Sequence, residues 1–160
     1  MNLQEILSED NIIFVNSESW ENAIFEITDF LKSKFGITNV ESIIQSIHEN
    51  EKNLATSAGR GVAFTHGISS ELNSFTPIIG INREGFESSA PDGLPCQIIV
   101  LTVSPSHNPD SHCKFLSLFR RMISDSSVRA DILEATTIPD IVRIIHDWQA
   151  KLLDPDDDDI

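Results

Sequence analysis

Residues 97–103 read Gln-Ile-Ile-Val-Leu-Thr-Val, and this stretch decides the fold class. Aliphatic side chains follow one another here without the polar alternation of a half-exposed strand. Such a run is typical of a strand that is covered on both faces. The sequence on either side of it should therefore supply amphipathic helices for two layers.

Apolar residues at helical spacing do flank the run. One helix is predicted to begin after Ser19 and to stop at Gly36, because a glycine just past a helix end commonly terminates it. A second begins at residues 38–41, which have capping-box spacing, and ends near His48. The last third of the chain predicts three more helices, and the third begins near Pro139. Their inward residues are Phe115, Leu116, Phe119, Met122 and Ile123 in the first, Val128, Ile132 and Leu133 in the second, and Ile141, Val142, Ile145, Trp148 and Leu152 in the third.

Three further stretches have strand character: residues 11–15, 62–65 and 76–81. Pro77 restricts the third to a sheet edge or a strand start, and residues 91–93 read as a turn. The prediction is an α/β domain in which helices lie on both sides of a central β-sheet, a three-layer sandwich.

Length and charge limit the function. The chain has 160 residues, of which 40% are apolar and 22% charged, as in a single globular domain. Its formal net charge is −14, and five aspartates after residue 153 account for −5 of it, leaving −14 + 5 = −9. We expect one domain over residues 1–153 and a disordered acidic tail over 154–160. The remaining −9 argues against binding to nucleic acid or anionic membranes and favours a basic protein partner.

Other features predict the compartment. No apolar run approaches the roughly 18 residues that cross a bilayer, so no membrane insertion is expected. The first residues lack a basic, apolar signal pattern, and two cysteines are too few for a disulfide scaffold. These features predict a cytoplasmic protein with reduced thiols, in which Cys96 and Cys113 are buried small apolar residues.

Candidate chemistry begins at residues 56–66, Thr-Ser-Ala-Gly-Arg-Gly-Val-Ala-Phe-Thr-His. Gly59 and Gly61 allow a sharp turn and can offer backbone N–H groups to an anion. His66 at the end of the following strand can act as a base, a ligand or a nucleophile near neutral pH. A histidine that merely closes a strand fits the spacing equally well.

A second cluster, residues 107–113, follows the central strand, where ligand sites collect in open α/β sheets. Asp110 or Ser111 would cap a helix, which puts His112 in its first turn. The helix dipole disfavours a protonated imidazole there, so His112 is expected to donate one N–H group. The plainer alternatives are a packed first-turn residue for His112 and a solvated loop residue for His107.

Three competing motifs are disfavoured. Residues 55–59 resemble a nucleophile elbow, but a helix precedes them and a strand follows, the reverse of that motif. The pair Gly59 and Gly61 lacks the third glycine and the helix of a dinucleotide fingerprint. A zinc site lacks an anchoring pair at ligand spacing, although four side chains could be assembled into one: His107, His112, Cys96 and Cys113.

Three segments resemble a known family in the same order and spacing, over roughly Leu3 to Leu153. Residues 56–67 resemble the active-site segment S-T-G-I-G-x-G-I-A-I-P-H of enzyme IIA of the fructose/mannitol/nitrogen-regulatory type. Residues 92–96 resemble its D-G-x-P-V segment, and residues 111–116 its x-H-L-x-x-L helix start. These enzymes IIA are type-2 phosphocarrier domains of the bacterial phosphoenolpyruvate-dependent phosphotransferase system.

The resemblance implies a mixed sheet and a set of roles. His66 would accept a phosphoryl group from an HPr-type phosphocarrier protein and pass it to a downstream phosphotransferase component or a regulated protein. His112 would donate a hydrogen bond beside it, and Thr56, Gly59 and Gly61 are candidate phosphate-binding residues. No cofactor and no metal are implied.

Departures from the family pattern leave the function open. Asn50 stands where the family has a phosphate-pairing arginine and is a fourth candidate phosphate-binding residue, offering hydrogen bonds without a charge. Lys52 or Arg60 are possible substitutes for that arginine. Thr65 replaces the proline before the histidine, and Phe64 an aliphatic residue. The leading hypothesis is a phosphocarrier, in nitrogen-type regulation rather than sugar transport. The alternatives are a binding module that regulates a transporter, kinase or transcription regulator by docking, and, more remotely, a metal-dependent hydrolase.

Overall fold

The structure is a computed structural model and describes residues 1–53, 57–88, 90, 92–105 and 110–154. A five-stranded mixed sheet has the order β1-β4-β5-β3-β2. Its strands are β1 (Ile12–Phe14), β2 (Ser57–Gly59), β3 (Val62–Ile68), β4 (Thr76–Phe86) and β5 (Cys96–Ser104). The pairs β1–β4 and β3–β5 are parallel, and the pairs β4–β5 and β2–β3 are antiparallel. The apolar run thus forms the middle strand, as predicted.

Helices cover both faces of this sheet, which confirms the three-layer prediction. The helices are α1 (Leu3–Ile6), α2 (Trp20–Phe35), α3 (Val40–Asn53), α4 (Asp110–Ile123), α5 (Ser126–Glu134) and α6 (Ile138–Leu152), with a 3-10 turn at Glu9–Asn11. One core cluster joins the sheet to α1, α4, α5 and α6, and the other joins it to α2 and α3. Among the described residues, no helix is both long and apolar enough to span a bilayer.

Strand alternation divides the side chains between the two layers. On β5, Ile98 and Val100 belong to the core under α4, whereas Ile99 and Leu101 face α2 and α3. All four are buried, which explains why the sequence shows no alternation. The same alternation determines which helix layer each of the other residues of β3 and β5 faces.

The helix boundaries agree with the sequence at α2 and differ at α3. Ser19 caps α2 by accepting from the Asn22 N–H, and Gly36 ends the helix with φ 69°. The cap of α3 is Asn39, whose Oδ1 accepts from the Ser42 N–H. The Thr38 hydroxyl instead bonds Glu71, so no capping box forms there. Helix α3 also continues past the predicted end to Asn53.

Other departures are smaller. The sequence did not predict the short strand β2, and Pro77 is the second residue of an interior strand, a strand start rather than an edge. Cys96 is buried as predicted, whereas Cys113 is exposed, because it lies on the solvent side of the first turn of α4. Residues 155–160 of the acidic tail lie outside the described residues, so its expected disorder and the domain boundary stay predictions.

Candidate active site

The site lies where the parallel strands β3 and β5 approach their carboxyl ends at the same edge of the sheet. His66 is near the end of β3 and pairs in register with Thr102 of β5. Alternation places His66 on the same face as the buried Phe64, under α4. Helix α4 begins at Asp110, so His112 lies in its first turn above this face, as predicted.

The two histidine rings stack on each other. Their centroids are 4.1 Å apart and their planes are inclined by 17°. Two positive imidazolium rings at this distance would repel each other, so the stack favours at least one neutral ring. Burial lowers the pKa of His112 below its ordinary value, because desolvation penalises the charged form. The lowered pKa favours the neutral form of His112, and a neutral imidazole carries one donor and one acceptor.

Each ring contacts a hydroxyl of β5. The Ser104 Oγ lies 2.9 Å from Nε2 of His66, and the Thr102 Oγ1 lies 2.6 Å from Nδ1 of His112. Both hydroxyls are buried and belong to alternate positions of one strand, so they face the same layer. Neither residue is among those predicted from the sequence. The sequence does contain a pattern that could have indicated them, namely two polar residues at alternate positions at the end of a continuously buried strand.

On the other side of the sheet, helix α3 holds the strand around His66. The Asn50 Nδ2 donates to the His66 backbone carbonyl over 2.7 Å, and the Ser46 Oγ accepts from the Ile68 N–H over 2.9 Å. Gly67 lies between these contacts, and a Cβ at this position would be 2.9 Å from Cγ2 of Ile43. The absence of a side chain at residue 67 therefore permits the close approach of α3.

The structure does not bring Gly59 and Gly61 to His66. They form the turn between β2 and β3, with φ 80° and 77°, and Arg60 between them also has a positive φ of 57°. The Arg60 N–H donates to Asp92 Oδ2 over 2.6 Å. His66 lies further along β3, about 13 Å from the start of the strand at ~3.3 Å per residue. These glycines and Arg60 therefore lie in a turn at the far end of the strand from His66, and their roles in phosphate binding stay predictions.

Two predicted residues, Thr56 and His107, lie outside the described residues, and so does the side chain of Lys52. Thr65, which replaces the family proline, is buried, and its Oγ1 has no hydrogen-bond partner within the described part of the chain. Across those same residues, no three His, Cys, Asp or Glu side chains are grouped to hold a metal ion.

Comparison with known proteins gives the family. The model described as "Phosphoenolpyruvate-dependent sugar phosphotransferase system, EIIA 2" matches residues 5–148. The chain belongs to this family. Its curated relatives include a fructose-specific EIIABC component of Bacillus subtilis, 22% identical over 91% of this chain, and a fructose-specific EIIA component of Haloferax volcanii, 22% identical over 76% of this chain and 81% of the relative. The EIIA chain spans only 23% of the Bacillus subtilis relative.

Solved EIIA structures share the fold. Nitrogen regulatory protein IIA-Ntr of Neisseria meningitidis superposes with a TM-score of 0.76 at 23% identity, over 89% of this chain and 98% of that one. The mannitol IIA of Escherichia coli gives 0.71 at 19% identity, over 87% and 98%. A further neighbour is the complex of mannitol IIA with phosphorylated IIB from Escherichia coli, with a TM-score of 0.70 at 17% identity, over 87% of this chain and 96% of that one.

Proposed function

We propose that this EIIA domain carries a phosphoryl group on His66. The observation that supports the proposal is the stacked pair His66 and His112 at the carboxyl ends of β3 and β5. The ring of His66 is fixed by the strand, by Ser104 and by the stack, so a nucleophilic nitrogen is held in a defined position. Such positioning supplies much of the catalysis in phosphoryl transfer.

The transfer conserves charge and atoms. A neutral nitrogen of His66 attacks the phosphorus of a phosphohistidine on an HPr-type carrier. As the new P–N bond forms, the P–N bond of the donor breaks and its electron pair returns to the donor ring, which takes up a proton while the phosphorylated His66 ring releases one. The negative charge spreads over the three equatorial oxygens in the transition state. A donor N–H from His112 beside the ring would stabilise that charge.

Asn50 distinguishes this site from the family pattern. Its amide donates to the His66 carbonyl, so it holds the strand that carries the acceptor. An amide brings no positive charge to the transferring group, and a neutral hydrogen bond stabilises it less than an arginine does. We therefore propose slow transfer and a regulatory role of the nitrogen type rather than sugar transport, because a signalling protein does not need the turnover of a transport route.

The proposed partners follow from the same chemistry. The donor is an HPr-type phosphocarrier protein, and the acceptor is a IIB-type component or a regulated protein. The mannitol complex of Escherichia coli shows a IIA protein in contact with phosphorylated IIB. A cytoplasmic location goes with this function, since phosphoenolpyruvate is a cytoplasmic metabolite.

The test is the intact-protein mass after incubation with phosphoenolpyruvate, enzyme I and HPr from the same organism. We expect one acid-labile phosphoryl group, lost in His66→Ala and retained in His48→Ala. His48 is a matched control because it is an exposed histidine on α3. Uptake that survives His66→Ala, or no uptake by the wild type with its own carriers, would refute the proposal.

A second candidate function is a docking module that works without phosphate. The neutral Asn50 favours it, because this side chain supplies a hydrogen bond to the backbone and no charge to a phosphate. This candidate predicts a protein partner whose affinity is the same for the wild type and His66→Ala. A difference in affinity between the phosphorylated and unphosphorylated forms would instead make the phosphoryl group the switch.

A further inference from the structure

Thr102 is a fully buried polar residue at the site. It lies on β5 on the same face as Val100, with an exposed fraction of 0%, and pairs in register with His66. A valine has nearly the same shape and suits a buried strand position equally well. The hydroxyl is therefore the feature that needs an explanation, because buried hydroxyls are almost always hydrogen-bonded.

The described residues bring two acceptors to this hydroxyl at unequal distances. The backbone oxygen of Thr65 is 3.4 Å from Oγ1, whereas Nδ1 of His112 is 2.6 Å away. Hydroxyl hydrogen bonds are ordinarily 2.5–3.0 Å long. The single hydroxyl hydrogen can serve only one of these contacts. The donation to the Thr65 carbonyl is long for a hydroxyl donor, so the hydrogen is better placed in the short contact, with Thr102 donating and Nδ1 accepting.

This direction determines where His112 carries its own hydrogen. A neutral imidazole has one N–H, so an accepting Nδ1 leaves the hydrogen on Nε2. The opposite direction would leave the hydroxyl hydrogen only the carbonyl at 3.4 Å. The first turn of α4 and the stack on His66 both disfavour a second proton on His112.

We propose that Thr102 is a positioning residue that fixes His112 as the Nε2–H tautomer, so that His112 presents a permanent N–H donor beside His66. The role rests on the proposed function, because the donor is useful when His66 holds a phosphoryl group. A donor fixed before the reaction needs no reorganisation as charge develops on the phosphoryl oxygens.

The primary test is the tautomer itself, measured without any phosphoryl donor. Long-range ¹H–¹⁵N NMR correlation at about pH 8 distinguishes protonated from unprotonated ring nitrogens, and a His112→Phe sample identifies the signals. We expect Nδ1 of His112 to be unprotonated and Nε2 protonated in the wild type. A hydrogen on Nδ1, or an even mixture of the two tautomers, would overturn the proposal.

Variants separate positioning from packing. Thr102→Val should bring the two His112 nitrogen shifts towards each other and slow phosphoryl uptake about 10-fold, the loss of one hydrogen bond, whereas Thr102→Ser should retain both properties. The matched control is Thr28→Val, which removes an equally buried hydroxyl on α2 that donates to the Ile24 carbonyl. Equal slowing in Thr28→Val, or unchanged shifts in Thr102→Val, would overturn the positioning role.

The NMR measurement and the uptake measurement together distinguish a failure of this proposal from a failure of the proposed carrier function. Failure of the wild type to take up phosphate would overturn the carrier function, and with it the role of Thr102, while the NMR arm would still report the tautomer. The expected tautomer together with slow uptake by Thr102→Val would support both proposals.

Discussion

Gly67→Ala tests whether the close packing of α3 on β3 sustains the site. The backbone at Gly67 does not have a positive φ, so alanine can adopt it without strain. The new Cβ would lie 2.9 Å from Cγ2 of Ile43, 3.3 Å from Cγ1 of Ile47 and 3.5 Å from the Ser46 Oγ. Carbon atoms pack at about 3.5–4.0 Å, so α3 has to move away from the sheet.

Two opposing terms determine the size of the effect. Overpacking of this kind costs about 1–3 kcal/mol of unfolding free energy. Replacing glycine by alanine at a compatible backbone returns roughly 0.4–1 kcal/mol through the unfolded state. The midpoints of these ranges give a net loss of about 1.3 kcal/mol, within limits of about 0–2.6 kcal/mol, and the midpoint corresponds to roughly 3–5 °C in Tm for a chain of this size. Because α3 also carries Asn50, its hydrogen bond to the His66 carbonyl should weaken and phosphoryl uptake should slow.

A double-mutant cycle with Ile43→Ala is the control. Ile43→Ala alone should destabilise the protein by about 2–5 kcal/mol, and it removes the methyl group that the new Cβ would meet. In that background Gly67→Ala should cost little, giving a coupling energy of about 1–3 kcal/mol in chemical denaturation. Equal losses in the two backgrounds, within about 0.5 kcal/mol, would show that the 2.9 Å contact does not limit the packing.

Three further predictions use other parts of the molecule. Asn50→Arg should speed phosphoryl uptake roughly 10-fold, because it restores a charged donor near His66. The neutral substitution Asn50→Gln should not speed uptake. Stopped-flow transfer from phosphorylated HPr measures the rate for both variants. Burial raises the pKa of the Cys96 thiol to about 12, whereas Cys113 is exposed. A thiol reagent at about pH 8 should therefore modify only Cys113 in the native protein and both thiols after unfolding. Mass spectrometry counts the adducts. The backbone N–H of Arg60 donates to Asp92 and holds the pKa of this carboxyl below its usual value of 3.8. The ionised Asp92 therefore stabilises the fold above about pH 4, and this stabilisation is lost as the pH falls through the folded-state pKa. In acid unfolding the wild type should lose its stability advantage over Asp92→Asn, and a constant difference down to about pH 2 would contradict this.

The elements that the sequence predicted correctly are those with strong local signals. The run that forms β5, and α2 with its serine cap and Gly36 stop, needed no knowledge of tertiary contacts. The short strand β2 has no such signal, because its three residues are extended only by pairing with Ala63 and Val62 of β3. Helix α3 runs past His48 through polar residues, where the apolar periodicity had already ended.

The two histidines of the candidate site could be predicted from the sequence, whereas the hydroxyl residues that contact them could not. His66 and His112 follow from the motif spacing, and the structure places their rings in contact. Ser104 and Thr102 become visible only when the register of β3 against β5 is known, because they act across a strand pair rather than along the chain. Gly59 is near His66 in the motif but lies in the turn before β3, at the far end of an extended strand from His66.

The position of His66 inside a strand, rather than on a loop, determines which insertions and deletions the site can tolerate. Side chains alternate between faces along β3, so removing or adding one residue between Val62 and His66 would turn the imidazole towards α3 and put a neighbour under α4. Such a change would separate the two histidines without altering any residue of the site. The segment between β3 and β4, residues 69–75, lies at the same edge of the sheet and sets no register within β3. Length variation among related proteins should therefore be concentrated in that segment and absent from the five residues that end at His66.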